Sequence, residues 1–229
     1  MTLIIAHRGA SRAAPENTVA AFRRAVEMGA DAIELDVRRT GDDRLVVHHD
    51  PSIADGRAIR ELSAGELPGW VPEMSDALDA CGAVVVNVEI KNDPHEPDHD
   101  PTDWVAEQVA RVLERRGDPA RWLISSFRYD TIARCRELSP AVATAWLTER
   151  IGPDEIARSV AGGHAAIHPW VPTVDRAAVD AAHAAGLAVN VWTCDDPDRM
   201  RELIGWGIDG ICTNVPDVAL AVRAAASAG

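Results

Sequence analysis

At 229 residues and 47% apolar composition, the chain is long enough to bury a substantial core, which excludes a disordered segment or a small disulfide-stapled module. A formal charge of -13 excludes nucleic acid and anionic membrane surface as favourable partners, because both are repelled at long range. No stretch approaches a membrane span and no leader pattern precedes His7, so one domain over residues 1–229, in the cytoplasm and without stable membrane insertion, is expected.

Short apolar runs alternate with longer amphipathic segments from end to end. That alternation predicts an α/β fold with a parallel sheet and covering helices. Strands are expected near 2–6, 32–37, 44–48, 84–90, 122–125, 142–146, 165–168, 188–193 and 209–213. Helices are expected over Asn17 to Met28, Trp104 to Arg116, Tyr129 to Leu138, Pro153 to Ala161, Asp175 to Ala185, Asp196 to Trp206 and Pro216 to Ala226. Asn17 or Thr18 is the candidate cap of the first helix. Gly29, Gly117, Gly186 and Gly207 stand where helices should end. Nine strands are one too many for a TIM (β/α)8 barrel, but residues 39–44 are too short for a crossover helix and rich in turn formers. The runs on either side therefore form an antiparallel hairpin, leaving eight parallel strands. A turn centred near Gly41 and Asp42 sets Val47 roughly opposite Asp36 and His49 roughly opposite Glu34.

Barrel chemistry collects at the carboxyl ends of the strands. His7 ends the first run, Glu34 and Asp36 lie two apart on one face of the second, His49 closes the hairpin strand, and Glu89 and Lys91 end the next parallel strand. Three carboxylates without a cysteine partner form a hard oxygen set suited to Mg2+ or Ca2+. His7 and His49 have the intrinsic pKa to trade a proton near neutrality, although which is acid and which is base stays open. Arg8 offers a planar fork to a phosphate. Lys91, the one lysine among 23 basic residues, offers a point charge. The Pro15–Thr18 segment can bring Glu16 or Asn17 to the same rim.

Three further features carry weaker signals. Trp146, Trp170 and Trp192 fall at or just past strand ends, an arrangement that permits an aromatic patch for a quaternary ammonium. The loop 92–101 is acidic, punctuated by proline and holds two histidines. It is expected to be a solvated loop with wet acids rather than a second metal site. Cys81, Cys135, Cys194 and Cys212 are too dispersed for a disulfide framework and are expected as reduced thiols.

The ordered set His-Arg-Gly (7–9), Pro-Glu-Asn-Thr (15–18), Gly-Ala-Asp-x-Ile-Glu-x-Asp-Val (29–37), Val-Val-x-His-Asp (46–50) and Glu-Ile-Lys (89–91) resembles the glycerophosphodiester phosphodiesterase family. Ser125-Ser126-Phe127, Trp192-Thr193 and the run from Gly207 to Pro216 extend the resemblance over nearly the whole chain. It implies a TIM barrel that hydrolyses small-molecule glycerophosphodiesters to glycerol 3-phosphate and an alcohol with a divalent cation. It also implies His7 and His49 as the acid-base pair, Glu34, Asp36 and Glu89 as metal ligands, and Arg8 and Lys91 as phosphate contacts; Trp192 is expected as a further substrate contact. Two departures stand out. Asn214 replaces the aspartate common after the last strand, and the insertion over the site, about 50–83, is short. Cleavage of lysophospholipids by a phospholipase D type reaction is the alternative activity, and a barrel that binds phosphodiesters without turnover is the alternative of another class.

Overall fold

The computed structural model describes residues 1–227. Eight strands close a parallel barrel: β1 (Leu3–Ala6), β2 (Ala32–Arg39), β4 (Val85–Ile90), β5 (Trp122–Ser126), β6 (Ala143–Thr148), β7 (Ala166–Pro169), β8 (Ala188–Val191) and β9 (Gly210–Thr213). β1 bonds to both β9 and β2, which closes the ring, and β3 (Leu45–Val47) lies outside it against β2. The expected TIM barrel with an added antiparallel strand is thus the observed architecture. Among the described residues eight helices cover the outside: α1 (Val19–Met28), α2 (Met74–Ala80), α3 (Trp104–Arg116), α4 (Tyr129–Leu138), α5 (Pro153–Ala161), α6 (Arg176–Ala184), α7 (Pro197–Gly205) and α8 (Pro216–Ser227). Among the described residues no helix is long and apolar enough to cross a membrane.

Strand alternation decides what the barrel encloses. Ile33, Leu35 and Val37 of β2 and Val86, Val88 and Ile90 of β4 face outward into a core shared with Phe22, Met74, Leu78 and Leu113. The intervening positions point inward: Ala32, Glu34 and Asp36 on one strand, Val85, Asn87 and Glu89 on the other. The register pairs Glu34 with Asn87 and Asp36 with Glu89. Near the barrel floor, Ile5, Ala32, Val85 and Cys212 pack together with Trp192. The acidic residues therefore lie above an apolar plug, toward the carboxyl mouth.

The hairpin register is shifted by one residue from the sequence reading. Val37 pairs with Val47, and the His48 amide donates to the Asp36 carbonyl at 3.0 Å. The turn is wider than the centre near Gly41 and Asp42 implies, because Asp43 takes a left-handed φ of 62° and the Thr40 amide closes onto the Arg44 carbonyl. His49 thus falls beyond the paired strand rather than opposite Glu34.

The stretch 50–83 holds two different things. Its first part carries single 3-10 turns and buries Ile53, Ile59, Leu62, Leu67 and Val71 with Val46 in a small cluster of its own. Its last part is α2, a crossover helix that the sequence reading did not place. Met74, Ala77 and Leu78 give it one buried stripe, but at seven residues without a side-chain cap it has little local signature.

All four cysteines are free, as expected, and all four are buried. Gly9, directly after Arg8, has φ 81°, and a Cβ there would meet the Ala21 carbonyl carbon at 2.6 Å. Gly9→Ala is expected to destabilise the fold by roughly 1–3 kcal/mol from the backbone conformation alone, with the close approach to α1 adding to that. Urea unfolding measures the loss, and an unchanged midpoint would show that the turn relaxes freely.

Candidate active site

The turn after β1 places Arg8 at φ 55°, so that its backbone amide donates to Glu34 Oε2 at 2.8 Å. Thr18, not Asn17, caps α1, its Oγ1 accepting from the Ala21 amide. Asn17 is thereby free, at φ 55°, to donate through Nδ2 to Asp36 Oδ2 at 2.7 Å. Lys91 reaches down from the end of β4 with Nζ 3.0 Å from Asp36 Oδ1 and 2.5 Å from Glu89 Oε1. Arg8 Nε lies 3.3 Å from Asp36 Oδ2, while its Nη1 pairs with Glu16 at 2.8 Å. Both residues of the 16–17 pair therefore stand at the rim, Asn17 in direct contact with the acidic cluster and Glu16 through Arg8.

Glu34, Asp36 and Glu89 each bring one carboxylate oxygen within 4.8 Å of the others, and all three are buried. Their charges are answered by two cations. Burial raises the Asp36 pKa, but Lys91, Arg8, His49 and the Asn17 hydrogen bond outweigh it and hold the carboxyl below its usual range. Glu34 goes the other way. Burial, then Asp36 and Glu89, push it well above the carboxylate range, and its Oε1 is buried without a hydrogen-bond partner. Glu89 is likewise raised, first by burial. An unpartnered buried oxygen beside two more carboxylates is what a hard divalent cation would satisfy, so these three residues could hold one.

His7 and His49 line the same cavity of about 170 Å³ as Arg8, Glu34, Glu89 and Lys91. His7 Nδ1 donates to Asn214 Oδ1 at 2.8 Å, and Asn214 Nδ2 donates onward to Asp195 Oδ2 at 2.7 Å. His49 Nδ1 lies 2.7 Å from Asp50 Oδ1. In both rings Nδ1 carries the proton and Nε2 is left to act. Burial lowers both pKa values, Arg8 adding to it at His7 and Lys91 at His49. His168, deeper in the cavity, accepts from Asn190 and is pushed down to about 3 by burial, so it stays neutral.

Of the three tryptophans, only Trp192 faces the cavity. Its Nε1 donates to the His168 carbonyl at 2.8 Å and its ring meets Phe127 edge-on at 5.3 Å. Trp146 instead packs on Tyr129 under the Arg158 guanidinium, and Trp170 is 46% exposed. The aromatic patch that the placement at the strand ends permits is therefore not formed, because Trp146 already has a cation of its own chain on its face.

The loop 92–101 also departs from expectation: three of its four acids, Glu96, Asp98 and Asp100, are ion-paired. The Arg38 side chain, with 0% exposure, pairs with Glu96 at 2.9 Å and Asp98 at 2.7 Å, and donates from Nε and Nη2 to the His49 carbonyl at 2.8 and 2.5 Å. Arg39 holds Asp100 at 3.1 Å. Arg38, Asp195 and Asn214 are site-supporting residues that sequence reasoning missed or left in doubt. The one available signal was an arginine at the end of β2, in phase with Glu34 and Asp36 rather than with the outward-facing apolar residues. Among the described residues His95 and His99 join no metal-ligating cluster.

Comparison with known proteins agrees with this geometry. Residues 7–218 match the Glycerophosphoryl diester phosphodiesterase family. The chain is 30% identical to the glycerophosphodiester phosphodiesterase of Caldanaerobacter subterraneus subsp. tengcongensis, over 94% of this chain and 95% of that one. Its fold matches a glycerophosphodiester phosphodiesterase from Parabacteroides distasonis with TM-score 0.82 at 27% identity, covering 98% of each chain. It also matches an Oleispira antarctica phosphodiesterase, in complex with the product sn-glycerol-3-phosphate, with TM-score 0.87 at 24% identity, covering 98% and 97%. The barrel and its mouth thus define a phosphoric diester hydrolase. The chain belongs to the glycerophosphoryl diester phosphodiesterase family, whose activity is the hydrolysis of glycerophosphodiesters.

Arg38→Met is expected to cost roughly 3–5 kcal/mol, because it strands Asp98 in a buried position without its partner. Adding Glu96→Gln and Asp98→Asn to that variant should recover a large part of the loss. Urea unfolding of the two proteins decides it, and equal midpoints would show that the buried charges are not the source.

Proposed function

We propose that this chain hydrolyses soluble glycerophosphodiesters to glycerol 3-phosphate and an alcohol at the cavity between His7 and His49, with a divalent cation, Mg2+ or Ca2+, held by Glu34, Asp36 and Glu89. The observation that carries this reading is the unpartnered, buried Glu34 Oε1 among three carboxylates, facing a cavity that also holds two histidines and two cations. A cation bound there would neutralise charge that builds on the non-bridging phosphate oxygens.

The chain's own groups supply the rest. Arg8 and Lys91 grip the phosphate, one as a fork and one as a point charge. The Asn214 amide fixes the His7 tautomer while burial and Arg8 hold the ring neutral, which suits Nε2 to accept a proton from the attacking hydroxyl. The Asp50 carboxylate on His49 Nδ1 offsets part of the burial and of the Lys91 charge that lower its pKa, which suits Nε2 to donate to the departing alcohol once the ring is protonated. Trp192 and Phe127 form an apolar wall that limits water around the bound glycerol unit.

A second reading, cleavage of lysophospholipids by the same residues, is favoured by one observation. An open groove of about 600 Å³, bordered by the half-exposed Trp70, adjoins the cavity at His49. Assaying release of glycerol 3-phosphate from a panel of diesters, and of lysophosphatidate from lysophosphatidylcholine, separates the two.

His7→Ala and His49→Ala are each expected to lose about 10²–10⁴-fold in kcat while Mg2+ or Ca2+ still raises the Tm of either variant. Glu34→Gln should abolish that Tm rise. Unchanged turnover in both histidine variants, or a cation response that survives Glu34→Gln, would overturn the assignments.

Asn214→Asp places an anion on His7 Nδ1 and so favours the imidazolium. The His7 pKa, lowered in the wild type by burial and by Arg8, should rise, and the acid limb of the kcat/KM profile should move to higher pH. A limb that stays in place would remove His7 from the role of base.

A further inference from the structure

Strand alternation stacks the inward positions of β4 from floor to mouth as Val85, Asn87 and Glu89. Val85 packs with the apolar plug, and Glu89 belongs to the acidic cluster. Asn87 lies between them on the wall of the inner cavity, with Glu34 as its register partner on β2. It is 5% exposed, and its Oδ1 is buried without a hydrogen-bond partner among the described residues. Leaving such an acceptor unpaired is unfavourable, so this oxygen calls for a donor that arrives with a ligand. Its neighbour Glu34 Oε1 is a second unpartnered oxygen, which the proposed cation would engage.

The far wall supplies a donor. His168, on β7 across the barrel from β4, lines the same cavity and accepts through Nε2 from Asn190 Nδ2 at 2.9 Å. The ring proton therefore stands on Nδ1. With its pKa pushed down to about 3 by burial, the ring keeps this neutral form at any pH near neutrality. The backbone prepares the pairing: Asn190 is in register with Gly210 on β9, where a Cβ would run into Asn190 Oδ1. The glycine lets the amide lie along the wall and hold the imidazole. His168 has no share in the proton transfers given to His7 and His49, so its place on the cavity wall calls for another task.

We propose that Asn87 and His168 read the terminal hydroxyl of the glycerol unit, the one farthest from phosphorus, with Asn87 Oδ1 accepting from it and His168 Nδ1 donating to it. This rests on the phosphodiesterase reading, in which Arg8 and Lys91 hold the phosphate at the mouth and the carbon arm points to the floor. A hydroxyl both donates and accepts, so it satisfies the two walls at once. A methyl in its place leaves both groups stranded, and an ether oxygen serves His168 alone. The plug of Ile5, Ala32, Val85 and Cys212 lies directly beneath, so a chain carried on that oxygen meets packed side chains. The floor thus selects an arm that ends in a free hydroxyl.

The test keeps ethanol as the leaving alcohol and varies the other arm among glycerol, its 1-deoxy analogue and its 1-O-methyl analogue, the phosphate being on carbon 3. Released ethanol is the common readout. The wild type should show kcat/KM about 10–100-fold higher for the glycerol diester than for either analogue. Asn87→Leu, which keeps the approximate shape and removes the acceptor, should bring the glycerol-to-deoxy ratio close to one while Mg2+ or Ca2+ still raises its Tm. His168→Phe should lower the same ratio. Equal kcat/KM for the three diesters in the wild type would overturn the proposal whether or not the variants fold. So would a ratio that persists in both folded variants, or a cation response lost in Asn87→Leu, which would assign its oxygen to the cation instead. Binding separates the floor from the reaction: glycerol 3-phosphate should raise the wild-type Tm more than its 1-deoxy analogue does. That preference in a protein that cleaves no diester would uphold the floor and sink the function, whereas equal cleavage of all three diesters would do the reverse.

Discussion

The constraint that orders this structure is an uncompensated negative charge inside a barrel. The parallel register of β2 and β4 sets Asp36 beside Glu89, and strand alternation puts Glu34 on the same inward face. Two like charges about 5 Å apart repel by on the order of 3 kcal/mol at an effective dielectric near 20. Arg8 and Lys91 answer two of the three charges, and both converge on Asp36. Glu34 is left with one backbone hydrogen bond and one bare oxygen. Such an arrangement is stable with a proton or with a cation, and the three convergent oxygens favour the cation. The strained details nearby serve the same cluster: Arg8 and Asn17 adopt left-handed conformations, one to aim an amide at Glu34 and the other to aim a side-chain amide at Asp36.

Much of this was legible in the sequence because the relevant information is local. The placement of Glu34 and Asp36 two apart on an apolar strand, the histidines at the ends of apolar runs, and the hairpin implied by a short polar link all depend on neighbouring residues and on alternation. What was not legible depends on contacts across the chain. The hairpin register turned on one left-handed residue, Asp43, which shifts every pairing by a position. α2 is held by burial of four residues rather than by propensity or caps. The acids of the 92–101 loop read as solvated because their partner, Arg38, is 58 residues away from Glu96. The tryptophans read as a patch because each stands near a strand end, whereas orientation and the Arg158 side chain decide which indole faces open space.

The two histidines show how a pair of identical side chains acquires different tendencies from what holds their far nitrogens. His7 rests on an amide whose own second contact is a carboxylate, so the charge of Asp195 is felt one residue removed. His49 rests directly on a carboxylate in the adjacent position of the chain. Replacement of an aspartate by Asn214 is therefore not a loss of the hydrogen bond. It keeps the orientation of the ring and withdraws the charge, and the Asp195 carboxylate, which can only accept, holds Asn214 Nδ2 on its own side and so keeps the amide from flipping.

His49 has a further dependence that His7 lacks. His7 sits at the end of a barrel strand, with its amide bonded to the Thr213 carbonyl, so the ring inherits its place from the sheet. His49 lies one residue beyond the hairpin's pairing and has no strand partner of its own. Its carbonyl is instead held by two nitrogens of Arg38, whose remaining nitrogen and charge are taken by Glu96 and Asp98. Burying a guanidinium is unfavourable without such partners, so the carbonyl grip and the acidic loop stand or fall together. The loop that follows Lys91 is thus mechanically linked to the catalytic mouth, and a substitution at Glu96 or Asp98 acts on His49 without touching the cavity.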